Sequence, residues 1–525
     1  MGNLVMRTDR KNLQEKDFYV LILVLSIVLG GILRFIPPTL AGFPVHDGGM
    51  FYYMVEELKS NHFALPAFTT YNLSDIPFAY PPFGFYVTAL ISTLFRIPTL
   101  DVVRWMPSII STFALLAFNQ MADEILASKR QAVIATLFYG LLPASFEWTV
   151  MGGGITRAFG LLFMLLTITF ASRLFDRKDH LTAGLTAVFG ALAFLSHPQS
   201  GLQAALVSIL LWLFRGRSKK TFFLSVFVSL GVIALTSPWW GTVLSFHGLA
   251  PFSSVSRISN EGALYLLKLL LLWIEDGPVV TLTAAIGITG LLAALANRKF
   301  LLPIWLVIPF FVDPRTANDM GRVIATSILA GYGFDSVIAP ALLVIRKRSG
   351  EWFSDRFASF SLFTIVFILF FGSSIFSLKL AGKSLSTADR ETIAWVEQNI
   401  PPGNDFLLLT GEQYSMNDPF QEWFPALTKQ RSQTTLQGGE WTRAEDFFPF
   451  YGELVSLQNC ASLECVNAWT VRTGLRYQYL LIKKVPEENS LYTSLTSLQG
   501  FVRNSLDYKL LYEDENARLF LSLER

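Results

Sequence analysis

Apolar runs recur so often before residue 380 that most of this stretch must fold with lipid around it. Eleven stretches read as membrane-spanning helices, near 18–36, 103–126, 131–147, 157–173, 181–196, 199–214, 221–237, 278–296, 300–312, 322–345 and 357–378. A helix of roughly 20 apolar residues crosses a bilayer. The chain is 52% hydrophobic and only 16% charged, the composition of a polytopic membrane protein. Two more apolar stretches, 83–97 and 262–275, are ambiguous by hydropathy alone.

Charge placement resolves them. Basic residues cluster at Lys129-Arg130, Arg173 to Lys178, Arg215 to Lys220, Arg298-Lys299 and Arg346 to Arg356. These clusters and the basic N-terminus share one side only if 83–97 does not cross, and positive loops stay in the cytoplasm. The aromatic, proline-flanked 83–97 and the segment 262–275 are therefore expected to lie along the interface. About 11 crossings follow, with the N-terminus cytoplasmic, in the cytoplasmic membrane. The first span has the length of an uncleaved anchor and is followed by Pro37-Pro38 rather than a small-residue cleavage site.

This topology gathers the unusual residues outside. They are the loop around Asp47, Gly152-Gly153-Gly154-Ile155-Thr156-Arg157, Ser196-His197-Pro198, and Asp313-Pro314-Arg315 to Arg322. From 384 the pattern changes: charges return and apolar runs shorten. We expect a transmembrane unit over 1–383, with 37–102 as its first extracytoplasmic loop, and a soluble extracytoplasmic α/β domain over 384–525. In that domain Ser386 to Asp389 reads as a capping box opening a helix that Pro401-Pro402 stops. Segments 406–409 and 479–482 read as buried strands, and 508–512 with 518–523 as a hairpin. Cys460 and Cys465 are the only cysteines; outside the cytosol they are expected to pair in a small local disulfide.

Several classes fall away. A net charge of +2 gives no electrostatic case for nucleic acid. No P-loop, dinucleotide fingerprint, Ser-His-Asp set or zinc spacing occurs. What remains is Asp47, a carboxylate at the water edge of a span, flanked by His46 and Gly48-Gly49. Ionisable groups there are functional candidates by default. Asp47 also suits the N-cap of a helix beginning near Met50, and both roles are compatible. Arg157, Arg315 and Arg322 suit either a lipid phosphate or the ordinary headgroup level. His197 needs no ligand to explain its turn, which Pro198 makes, but could donate to a phosphate. In the tail, Glu422-Trp423 and Glu440-Trp441 pair acid with aromatic, which can bind sugars but more often simply forms a core.

Phe43-Pro44-Val45-His46-Asp47-Gly48-Gly49-Met50 after the first span resembles the first extracytoplasmic loop of GT-C glycosyltransferases, the membrane enzymes that use polyprenyl-phosphate sugars. Ala79-Tyr80-Pro81-Pro82-Phe83 is similar to their aromatic-Pro-Pro segment, and Asp313-Pro314-Arg315 to their Pro-Arg before a late helix. The resemblance implies a GT-C-like membrane fold in which Asp47 is the catalytic base or a metal ligand. It implies a polyprenyl-phosphate sugar donor, an extracytoplasmic glycan, lipid or protein acceptor, and membrane lipids as partners. His46, Arg157, His197, Arg315 and Arg322 would bind substrate or phosphate. Many members carry a second acidic motif in the next outer loop. Here residues 152–157 hold no carboxylate, and Glu147 is the nearest substitute. That departure disfavours a divalent metal, and no cofactor is expected. A lipid-linked-glycan transporter or flippase, or a non-catalytic glycan-binding membrane protein, stands as the alternative.

Overall fold

The computed structural model describes residues 2–252, 281–311 and 321–523, with side chains from Glu15 onward. The expected interfacial segment 262–275 and Arg315 lie outside the described residues.

The first helix, α1 (Gly2–Ala41), runs straight through Pro37 and Pro38, where the sequence suggests an end. Proline lacks the N–H that would bond the carbonyl four residues back, so the carbonyls of Leu33 and Arg34 lose their helical donors. Ser377 Oγ donates to the first (3.0 Å) and Ser108 Oγ to the second (2.7 Å). Hydroxyls of neighbouring helices thus keep the helix intact in a setting without water. Arg34 is fully buried beside them. It bonds Ser111 Oγ, the carbonyls of Gly30 and Gly140, and Ser145 Oγ at 2.9–3.0 Å.

After α1 come α2 (Gly49–Ser60), a short hairpin β1 (Phe68–Thr69) and β2 (Ile76–Pro77), α3 (Phe83–Phe95), and α4 (Thr99–Leu126). The expected span 131–147 is instead the 13-residue α5 (Lys129–Leu141), with short turns after it. Leu142 precedes Pro143 and is extended (φ −86, ψ 120), as a residue before proline prefers. Then follow α6 (Gly154–Arg177), α7 (His180–Ser196), α8 (Pro198–Arg215), α9 (Lys219–His247), α10 (Leu282–Ala296), α11 (Leu301–Val307), α12 (Val323–Ile345) and α13 (Arg356–Ala381). Among the described residues six helices are long and apolar enough to cross a membrane: α1, α4, α6, α9, α12 and α13. The fold is a polytopic helical membrane fold.

Past α13 the chain forms a five-stranded sheet of order β4-β3-β5-β7-β6. Its strands are β3 (Asp405–Leu409), β4 (Arg431–Ser432), β5 (Tyr479–Lys483), β6 (Tyr508–Glu513) and β7 (Ala517–Ser522). β3 lies parallel to β4 and β5; β7 runs antiparallel to β5 and β6. The helix α14 (Thr387–Asn399) opens with the Ser386–Asp389 capping box, and the 508–522 hairpin forms as the sequence predicts. Two helices matter below: α15 (Pro419–Thr428), and α16 (Phe447–Gln458), which covers the sheet's far face.

The alternation of β3 shows how this sheet attaches. Leu407 and Leu409 point into a core with α16, Trp469 and Phe520. Phe406 and Leu408 point the other way, into a core shared with Met50, Met54, Phe85, Met106, Ile155 and Phe159. One face of the sheet thus belongs to the same core as residues of α2, α3, α4 and α6, with Phe406 against Phe424 of α15, the helix that packs on α2.

Candidate active site

Two glycine runs meet where α1 and α6 present their ends to the sheet. The backbone N–H of Gly152 donates to Val45 O (2.9 Å). A Cβ on Gly152 would overlap the Asp47 carbonyl, and one on Gly48 would come within 2.8 Å of Gly152 Cα. The glycines are therefore required by close approach, and their effect is to bring residues 47 and 157 together. Asp47 Oδ1 accepts from Gly153 N (2.9 Å), while Oδ2 is ion-paired and hydrogen-bonded to Arg157 Nη2. Both side chains are mostly enclosed, 19% and 17% exposed. Arg157 also donates to Trp148 O (2.9 Å) and lies over the Trp148 ring.

Burial alone would push the Asp47 carboxyl up, but Arg157, His46 and the Gly153 N–H outweigh it and hold it below its ordinary range. His46 adopts a left-handed backbone (φ 58), a strained state for a non-glycine residue and a frequent mark of functional loops. Burial and the neighbouring cations Arg157 and Lys383 lower its pKa against the pull of Asp47, so its imidazole is neutral near pH 7. Its Nδ1 is buried and has no hydrogen-bond partner among the described residues.

Asp47 does not cap α2, as the sequence allows. The cap position is Gly48, in a left-handed conformation, and it carries no side chain to do so. The acceptor comes from the sheet. Glu422 Oε1, on α15, accepts from Gly48 N (2.9 Å) and Met50 N (3.3 Å). Next to it, Trp423 Nε1 donates to His46 O (2.9 Å), and Tyr71 Oη donates to Glu422 O (2.7 Å). Glu422 is 5% exposed, and burial together with the charge of Asp47 pushes its carboxyl up to about 8. Sequence reading saw the Glu422-Trp423 pair but placed it in the tail's own core or sugar site. The signal available was an acid in an otherwise apolar helix face, Phe420, Trp423 and Phe424 being buried beside it.

Tyr80 completes the wall. Its ring packs on Phe51 (4.7 Å) and Trp441 (6.2 Å), and burial raises its hydroxyl's pKa despite Arg157 nearby and a bond with Thr156. α3 follows directly, with Gly84 so close to Ile155 O that a Cβ would overlap it.

The remaining candidates are spread out. His197 ends α7, bonds Ser200 (3.1 Å) and packs on Gly160, three residues along α6 from Arg157. Arg322 is 2% exposed, over the Phe310 ring, and the preceding Gly321 faces Pro309 and the α8 residue Gln203. Glu147, the substitute acid, lies 3.4 Å from Lys383. Cys460 and Cys465 are disulfide-bonded, far along the chain from Asp47. Among the described residues no three His, Cys, Asp or Glu side chains converge as metal ligands. The position a cation would take beside Asp47 holds a guanidinium, so these residues do not fit a metal centre.

A family model described as the 6-pyruvoyl-tetrahydropterin synthase related domain, a membrane protein, matches residues 79–250, less than half the chain. No curated protein matches the sequence. Solved structures do match in fold. The Archaeoglobus fulgidus oligosaccharyltransferase AglB, in complex with an inhibitory peptide and a dolichol-phosphate, aligns over 93% of this chain and 72% of its own (TM-score 0.59, 14% identity). ArnT from Cupriavidus metallidurans, bound to undecaprenyl phosphate, aligns over 95% and 97% (TM-score 0.52, 14% identity). The mycobacterial arabinofuranosyltransferase AftD aligns over 95% of this chain and 40% of its own (TM-score 0.56, 13% identity). The chain has the fold of the GT-C membrane glycosyltransferases. Within that class its similarity runs to enzymes of different names at nearly equal scores.

Proposed function

We propose that this protein is a GT-C-type glycosyltransferase that moves a sugar from a polyprenyl-phosphate-linked donor to an acceptor on the side of the membrane carrying the sheet. That side is extracytoplasmic in this reading, since the basic loops mark the opposite ends of the helices as cytoplasmic. The observation that carries it is the enclosed Asp47–Arg157 pair at the end of α6.

The pair suggests an exchange. A donor phosphodiester carries one negative charge, like the carboxylate, spread over two oxygens that match the guanidinium fork, and it gains further charge as it leaves as a monoester. As Arg157 turns to the phosphate, Asp47 loses its main stabilising cation and becomes more basic. It then takes the proton of the acceptor hydroxyl or amine as that atom attacks the anomeric carbon. The bond from that carbon to the phosphate oxygen breaks, and the electron pair leaves on the lipid phosphate, which Arg157 stabilises. His197, Arg322 and Arg315 serve the phosphate in the same reading, and His46 orients Asp47. A cavity of about 550 Å³ between α6, α7, α8 and α9 supports a place for the lipid tail. It is lined by Gly190, Phe194, Trp212 and Phe222, and its Gly201 end lies four residues from His197.

The test is transfer from labelled polyprenyl-phosphate sugars by the full chain in nanodiscs. Asp47→Asn should lower turnover at least 100-fold, the usual scale for losing a general base. Turnover that Asp47→Asn leaves unchanged would remove Asp47 from the mechanism.

A further inference from the structure

We infer that Glu422, carried by the sheet domain, is a positioning residue of the membrane site: it holds the loop that presents Asp47 to Arg157. The inference rests on the reading of Asp47 given above. Three contacts make the clamp. Glu422 Oε1 takes the N–H groups of Gly48 and Met50, immediately after Asp47, at 2.9 and 3.3 Å. Trp423 Nε1 holds the carbonyl of His46, immediately before it, at 2.9 Å. Gly49 lies so near that a Cβ would stand 2.7 Å from Glu422 O. Residues 46 to 50 are therefore gripped from both sides by two consecutive residues of α15. No main-chain hydrogen bond of the loop could do this, because the first N–H groups of a helix have no partner within it.

The grip also bears on charge. The charged and titratable groups facing Glu422 are Asp47 and Arg157 from the helical side and Tyr71 from the β1–β2 connection, and Tyr71 in turn faces Glu440, which precedes α16. Gln437 Nε2 stands 3.4 Å from Glu422 Oε2, while the amide oxygen of Gln437 is buried with no partner among the described residues. Turning that amide over lets a protonated Glu422 donate to its oxygen. Such a neutral acid caps the loop without placing a second anion where a phosphate must bind. With its pKa at about 8 it is in this form near neutral pH.

The experiment compares Glu422→Gln and Glu422→Leu with the parent, as full chains in nanodiscs, using the polyprenyl-phosphate sugar that the parent turns over. Amide hydrogen exchange is read at Gly48 and Met50. Glu422→Leu is expected to speed exchange there at least tenfold and to lower kcat at least tenfold, with KM for the donor within threefold. Glu422→Gln keeps an acceptor and a donor in place. It is expected to retain parental exchange and kcat at pH 7 and to lack the rise in donor KM that the parent is expected to show between pH 7 and 9, as Glu422 ionises. Exchange at Gly48 and Met50 unchanged by Glu422→Leu overturns the inference. So does a parental kcat in Glu422→Leu when Asp47→Asn is inactive, and so does a Glu422→Gln pH profile that follows the parent's. Full activity in Asp47→Asn overturns the underlying reading, whatever Glu422 does.

Discussion

Asp47 is held by three kinds of partner, a guanidinium, a main-chain N–H and two glycines that let the chains touch. The glycine contact is the most sensitive to substitution, because Gly152 faces the Asp47 carbonyl with no room for a Cβ. Overpacking a tight contact costs about 1–3 kcal/mol. Gly152→Ala should lose that much in thermal unfolding and lose turnover along with it, whereas Gly500→Ala, with open space around it, should do neither. Glu422 gives the site a pH signature. Its folded pKa of about 8 lies above the ordinary value of 4.5, so the native state binds the extra proton between them. Stability must then fall as pH rises through that window. Measured from pH 6 to 8, the parent's unfolding midpoint should fall relative to that of Glu422→Gln. Asp47 and Arg157 were each legible in sequence, being charges at the ends of apolar runs. Their pairing was not, since 110 residues separate them and two spans must pack before they meet. Glu422, 374 residues from Gly48, was still less accessible, because its partners are main-chain groups that leave no trace in side-chain chemistry.

At the level of elements, α1 shows how a sequence signal can be correct locally and overruled by neighbours. Pro37-Pro38 ends a helix in water, where free carbonyls are solvated. Between α4 and α13 the hydroxyls of Ser108 and Ser377 take that place, and the helix continues to Ala41, just before the Asp47 loop. A buried carbonyl left unpaired costs about 1–3 kcal/mol. Ser108→Ala and Ser377→Ala should each destabilise the protein by an amount in that range, measured by thermal unfolding in detergent. Ser374→Ala, whose hydroxyl only bonds the carbonyl of Phe370 within its own helix, should change little. The opposite case is α5, where Leu142-Pro143 does stop the helix and the expected span 131–147 breaks into turns. Hydropathy cannot separate these cases, because the deciding hydroxyls lie on other helices.

For the whole molecule, the sheet is as much part of the site as the helices are. The unbroken apolar run 406–409 of β3 reads as a buried strand, and both of its faces are indeed apolar. Only the packing assigns one face to the sheet's own core and the other, through α15, to the core it shares with α2, α3, α4 and α6. The disulfide lies on the side away from this shared core, with Cys460 packed among Leu457, Val466 and Trp469. Its small loop, with a sequence separation of 5, should be worth about 2 kcal/mol to the sheet domain by chain entropy. Cys460→Ser with Cys465→Ser should thus lower the unfolding temperature and leave the site intact. The account as a whole stands on the idea that Asp47 and a lipid phosphate compete for Arg157. The affinity of undecaprenyl phosphate for the full chain in nanodiscs tests it most directly, with Arg157→Gln and Asp47→Asn beside the parent. Arg157→Gln should weaken binding at least tenfold, while Asp47→Asn, by removing the competitor, should strengthen it. Equal affinity in all three proteins, or a loss of binding in Asp47→Asn as large as in Arg157→Gln, would contradict the exchange.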